Sequence, residues 1–219
     1  MLLRALAATT AAAVLLLSLT GCATDDWTTP RAEPAIVGTP GAGFHPETAP
    51  SPEATVVPAD GSWRGVSPSP GYRVVLLTSG TDATTDVLNA AVQQWASSEG
   101  VSLRTVVADE SGAIPAIVDA MDMKPDLIVS TGESLVDALA TVTPNHLDVS
   151  FLVLGAELAE PTDNVTAVDW TGAGFRGEGL GSATHFDEDS FTPKRGDAAI
   201  RAGAAAVLTG MTGVVLWID

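Results

Sequence analysis

Tyr72-Arg73-Val74-Val75-Leu76-Leu77-Thr78-Ser79-Gly80 is the stretch that decides the fold. Val74 to Leu77 are apolar without alternation, and Ser79-Gly80 closes the run, which is the pattern of a strand buried on both faces. Such a strand needs cover on each side, and the next residues supply it. Val87, Leu88, Ala91, Val92, Trp95 and Ala96 recur at i, i+1, i+4, i+5, i+8 and i+9, one face of a helix that stops at Gly100. Val101 to Val107 reads as a second strand. Ser111 is placed to cap a second helix, where Pro115 is tolerated in the first turn and Ile114, Ile117, Val118 and Met121 share one side. Asp126 to Ser130 makes a third strand, and a helix over about Ser134 to Val142 is ended by Pro144. Val149 to Leu154, Val165 to Trp170 and Val214 to Ile218 complete six strands, with a last helix over Asp197 to Thr209 that stops at Gly210. Alternating apolar strands and helices with right-handed crossovers imply an α/β fold: a doubly wound, mostly parallel sheet in a three-layer sandwich, with central order 2-1-3-4-5.

Working outward toward the amino terminus, residues 71–219 are preceded by two segments of different composition. Met1 to Thr20 carries one basic residue, Arg4, and an apolar run from Ala5 through Leu17, too short for a stable membrane span and typical of a signal peptide. It ends in Leu19-Thr20-Gly21-Cys22, which resembles the lipobox of bacterial lipoproteins, where the Cys thiol is lipidated after cleavage behind residue 21. The resemblance implies a mature chain outside the cytoplasm, held at the cell membrane by acyl chains on Cys22. From Ala23 to Pro70 the chain has nine of its 14 prolines and no apolar period, so residues 22–70 read as a lipidated Cys followed by a disordered linker. As a flexible coil this linker spans roughly 35–40 Å. Trp27 and Trp63 are its exceptions, and Trp63 is either packed on the domain edge or exposed.

Charge removes one class of partner. Ten Lys and Arg against 27 Asp and Glu give a net charge of −17, a field that repels nucleic-acid phosphates. Five Phe and one Tyr are too few for an aromatic recognition platform, and the single Cys allows no internal disulfide.

A further signal comes from the run Pro125-Asp126-Leu127-Ile128-Val129-Ser130-Thr131-Gly132-Glu133-Ser134-Leu135-Val136-Asp137-Ala138-Leu139, followed by Val149 to Leu154, Asn164 to Val168, and Arg201-Ala202-Gly203-Ala204-Ala205-Ala206. In order and spacing these segments resemble the first α/β lobe of the basic membrane protein family, substrate-binding lipoproteins of ABC transporters. The resemblance implies one lobe of a type I periplasmic binding protein, a nucleoside-like small-molecule ligand, an ABC permease as partner, and no cofactor. Four features depart from the family: Ala-Thr-Thr follows Ser79-Gly80-Thr81-Asp82, Phe191 to Asp197 replaces the family's aromatic-basic-acidic signature, a longer Gly-rich insertion precedes it, and the sequence ends at Asp219 after the strand that would close the first of the family's two lobes, leaving half the expected cleft absent.

In a doubly wound sheet, ligands sit beyond the carboxyl ends of the strands. Four turns qualify: 79–82, 130–134, 155–157 and 169–171. Hydroxyls of Ser79, Thr131 and Ser134 can bond a polyol, Asp82 and Glu157 can accept from hydroxyls or amines, and Trp170 can stack on a planar ring, although capping and core packing explain the same residues. Three other motifs are weaker. Gly172-Ala173-Gly174-Phe175-Arg176-Gly177 matches a dinucleotide fingerprint in spelling but opens no apolar-periodic helix. Gly132-Glu133-Ser134-Leu135-Val136 begins like a nucleophile elbow but lacks its last Gly, leaving an extracytoplasmic hydrolase using Ser134 as a minor alternative. His185, Asp187, Glu188 and Asp189 read as a solvated acidic loop before a metal site. No acid/base pair or nucleophile triad is evident, so the expectation is a non-enzymatic solute-binding lipoprotein. The alternative is a single-lobe interaction lipoprotein that binds no ligand alone.

Overall fold

The computed structural model describes residues 27–109, 112–173 and 186–219. Cys22, Ser111, His185 and the end of the Gly172–Gly177 motif lie outside the described residues. In chain order the strands and helices are β1 (Ile36–Gly38), β2 (Thr55–Val56), β3 (Val66–Pro68), β4 (Arg73–Ser79), α1 (Ala83–Glu99), β5 (Ser102–Ala108), α2 (Ala113–Asp122) and β6 (Leu127–Thr131). They continue as α3 (Val136–Val142), β7 (Phe151–Leu154), β8 (Val165–Asp169), α4 (Pro193–Leu208) and β9 (Val215–Trp217).

Seven strands form one sheet in the order β2-β9-β8-β7-β6-β4-β5, and every pair in it is parallel. The α/β sandwich and its central order are therefore as the sequence predicts. The alternation inside β4 shows why. Val74 and Leu76 enter a core with Leu88, Val92 and Trp95 of α1 and Ile200 of α4, while Val75 and Leu77 enter a second core with Ile117 of α2 and Val136 and Leu139 of α3. Successive side chains of a strand point to opposite faces, so one apolar run builds both cores. On the α4 side the fit is tight: a Cβ on Gly203 would lie 2.5 Å from Leu152 Cδ1 and 2.9 Å from Val168 Cγ2.

Helix α4 starts four residues before the predicted Asp197. Thr192 accepts a hydrogen bond from the Arg195 amide at 3.2 Å and Pro193 takes the first helical position, where its missing N–H costs nothing. Helix α2 differs in rotation. It buries Ala116, Ile117 and Ala120, leaving Ile114 and Val118 exposed at 48% and 40%. Ile117 flanked by two Ala is the stripe that meets the sheet, whereas sequence periodicity favours the larger side chains on both sides of it.

The linker expectation is corrected over its described part. Residues 27–70 are part of the domain: β2 pairs with β9 at the sheet edge, β1 pairs with β3, and Phe44, Trp63, Val56 and Val66 are buried in the core shared by α1 and α4. No periodicity announces this because the segment packs through isolated side chains rather than through a helix or a long strand. A chain starting at residue 71 therefore loses part of its core. Thermal unfolding is expected to show a cooperative melt for residues 27–219 and a strongly destabilised or non-cooperative one for 71–219, and Trp63→Ala alone should cost about 3–5 kcal/mol.

Candidate functional site

The carboxyl ends of β4, β6 and β7 meet at a cavity of about 300 Å³. Its walls are the start of α1 (Asp82 to Thr85), the turn after β6 (Gly132, Glu133, Ser134), Gly155 after β7, and Phe186, Glu188 and Phe191 before α4. Local geometry places each. Asp82 is the N-cap of α1 and accepts hydrogen bonds from the Thr85 amide at 2.9 Å, the Thr85 hydroxyl at 2.8 Å and the Thr84 hydroxyl. Gly155, at φ +75°, lets the chain turn where a Cβ would lie 2.9 Å from the Phe191 ring and 3.0 Å from Leu88 Cδ1. The Phe186 and Phe191 rings are tilted with centroids 5.6 Å apart, and Phe186 is 51% exposed.

Of the sequence-predicted residues, Asp82 and Ser134 line this cavity. Ser134 does not cap the following helix, because α3 starts at Val136 with Leu135 in the cap position. Ser79 ends β4 and is half-buried outside the lining. Thr131 is fully buried one residue before Gly132: its hydroxyl donates to Asn89 Oδ1 at 2.8 Å, and Asn89 Nδ2 donates to Thr78 Oγ1 at 3.0 Å. That network ties α1 to β4 and β6 and keeps the Thr131 hydroxyl from the cavity. Glu157 is buried away from the lining.

Trp170 is corrected most clearly. It is fully buried, packs edge-on against Phe191 at 5.1 Å, and donates from Nε1 to Ser190 Oγ at 3.0 Å, so it offers no face to a ligand. The aromatic wall comes instead from Phe186 and Phe191. Two Phe flanking the acidic run 187–189 were the available sequence signal, overshadowed by its carboxylates. Among the described residues no three His, Cys, Asp or Glu gather as a metal site.

The cavity is electrically one-sided: Asp82, Glu133 and Glu188 line it, and no Lys or Arg does among the described residues. Partial burial would raise the Asp82 carboxyl, but the hydrogen bonds from Thr84 and Thr85 outweigh it and hold the group below the usual carboxylate range. It is thus a charged acceptor at neutral pH.

No family model matches the chain, and no curated protein matches it. Two solved structures are similar to it in part. One is an ABC transporter system solute-binding protein from Aeropyrum pernix K1, at 21% identity and a TM-score of 0.40, covering 46% of this chain and 29% of that one. The other is a "putative lipoprotein" fragment from Peptoclostridium difficile 630, at 16% identity and a TM-score of 0.45, covering 64% of this chain and 98% of that one. The chain thus spans under a third of the A. pernix protein, and at these scores neither likeness carries an argument about ligand or partner.

A carboxyl whose pKa is lowered by folding stabilises the native state above its unfolded value of about 3.9, and this is lost as pH falls through the lower folded value. Asp82→Asn keeps a capping side chain but not the titration, so it is expected to flatten stability against pH below about pH 4. Asp82→Ala should cost about 1 kcal/mol at neutral pH. Urea unfolding of the three proteins across that range checks both.

Proposed function

We propose that this chain is a membrane-anchored, extracytoplasmic solute-binding lipoprotein of an ABC transporter, lipidated at Cys22, that captures a nucleoside-like solute without chemistry. The observation that carries this reading is the cavity at the carboxyl ends of β4, β6 and β7, where an exposed Phe186 faces a rim of carboxylates. Its volume of about 300 Å³ is at the lower end for small-molecule sites. Phe186 supplies a face for a planar ring, and Asp82, Glu133 and Glu188 accept from ribose hydroxyls or amines. The same carboxylates repel a phosphate, so the rim selects nucleosides over nucleotides. Specificity then arises from carboxylates left without donors by a wrong ligand. The resemblance to the basic membrane protein family supports the same ligand class and adds the permease.

A second reading, an interaction lipoprotein without autonomous ligand binding, is favoured by Val107, Ile114 and Val118, exposed at 61%, 48% and 40% beside the edge strand β5. Thermal unfolding of residues 27–219 separates the two. A nucleoside at about 100 times its Kd adds roughly 2.7 kcal/mol, a rise of roughly 5–10 °C for a domain of this size. The expected pattern is a rise with nucleosides, none with the corresponding monophosphates, and a reduced rise for Phe186→Ala and for Asp82→Asn. A clean melt that no nucleoside, sugar or amino acid moves would remove the capture reading.

A further inference from the structure

The first described residues of the chain are strapped across the end of the sheet opposite the cavity. Trp27 is 7% exposed and belongs to the core shared with α2 and α3. Its indole N–H donates to the Ser102 hydroxyl at the start of β5, and the guanidinium groups of Arg104 and Arg73 lie 4.4 Å and 5.7 Å from its ring centroid. Two residues on, the Thr29 carbonyl accepts from Arg73 Nη2 at 3.0 Å, and Arg31 pairs with Asp126, just before β6. Asp126 also accepts from the Arg73 amide at 2.7 Å. Ser102, Arg73 and Asp126 sit where β5, β4 and β6 begin and Arg104 two residues into β5, so the strap is fastened toward one end of the parallel sheet.

This changes the leash between the domain and Cys22. An unattached linker to residue 70 would let the domain roam, but among the described residues attachment already begins at Trp27. Five peptide units separate it from Cys22, and they span at most about 18 Å. We infer that the amino ends of β4, β5 and β6 are held against the phospholipid headgroups, and that the cavity at their carboxyl ends opens away from the bilayer. The inference rests on the proposed lipidation of Cys22. The short leash carries it, not charge: Arg73, Arg104 and Lys124 line this face together with Asp119 and Asp122. Solute is received from solution in this pose, and hand-over to a permease in the same bilayer requires the strap to release or the partner to reach around the domain.

The test uses the full lipidated chain reconstituted in vesicles of phosphatidylcholine and phosphatidylglycerol carrying a lipid-bound energy acceptor. Because the acyl chain occupies the thiol of Cys22, a fluorophore can be attached singly at Asp122→Cys, on the strap face, or at Glu133→Cys, on the cavity rim. The seven residues of β4 set these ends about 20 Å apart. Strong transfer from position 122 and much weaker transfer from position 133 is expected. A Gly/Ser spacer of about twelve residues between Thr24 and Asp25 lies outside the described residues and adds roughly 20 Å of coil, so it should abolish the difference. Equal transfer from the two positions in the parent chain, or a difference that survives the spacer, overturns the orientation. Mass analysis of Cys22 separates the failures: an unlipidated thiol overturns the anchor along with the orientation, whereas a lipidated chain with equal transfer overturns the orientation alone.

Discussion

An all-parallel sheet is stable only when both of its faces are covered, because each crossover returns the chain over one face and leaves no side to water. Here that constraint falls on β4, whose Val74 and Leu76 pack under α1 and α4 while Val75 and Leu77 pack over α2 and α3. Parallel strands also give the molecule two unlike ends. All the turns that lead into helices gather at one, and at the other the strands begin. The cavity and the strap are consequences of that polarity: one is built where β4, β6 and β7 stop, the other is fastened where β4, β5 and β6 start.

Charge follows the same polarity. In a chain of net charge −17, the described lining of the cavity has three carboxylates and no cation, while Arg31, Arg73 and Arg104 are drawn into the packing around Trp27 and Asp126 at the far end. At the end where the strands begin, Glu99, the last residue of α1, pairs with Arg201 of α4. Burial alone would raise the Glu99 carboxyl, but the guanidinium beside it and the hydroxyls of Ser67 and Ser98 hold it below the usual range. Such a partly buried pair, still reached by water, contributes on the order of 1 kcal/mol, so it sets the docking of the two helices more than it stabilises them. Tyr72, near Asp126, shows the opposite sign: burial and that negative charge push its hydroxyl up, and it remains neutral.

The site was less legible than the fold, for a physical reason that particular residues show. Asp82 was recognisable because a cap before an apolar-periodic helix is a local arrangement, and the cavity happens to use the same turn. Thr131 and Trp170 occupy the nominated turns but are absorbed by the interior, one by Asn89 and Thr78, the other by Phe191 and Ser190. Whether a turn residue faces a ligand or the core depends on side chains brought in from distant segments. Phe186 and Phe191 reach the cavity from more than thirty residues beyond β7, past β8 and a Gly-rich sequence with no apolar period.

What the sequence determined by itself was the class of fold, its strand order, and the end at which the turns leading into helices gather. Those follow from short-range periodicity and from the handedness of crossovers, which neighbouring residues encode. Only the tertiary structure decided that residues 27–70 belong to the domain, which aromatic rings wall the cavity, and that Trp27 is fastened at the start of the strands. Trp27, Phe44 and Trp63 have no local pattern around them, and the surfaces that bury them exist only once the sheet and its helices have assembled.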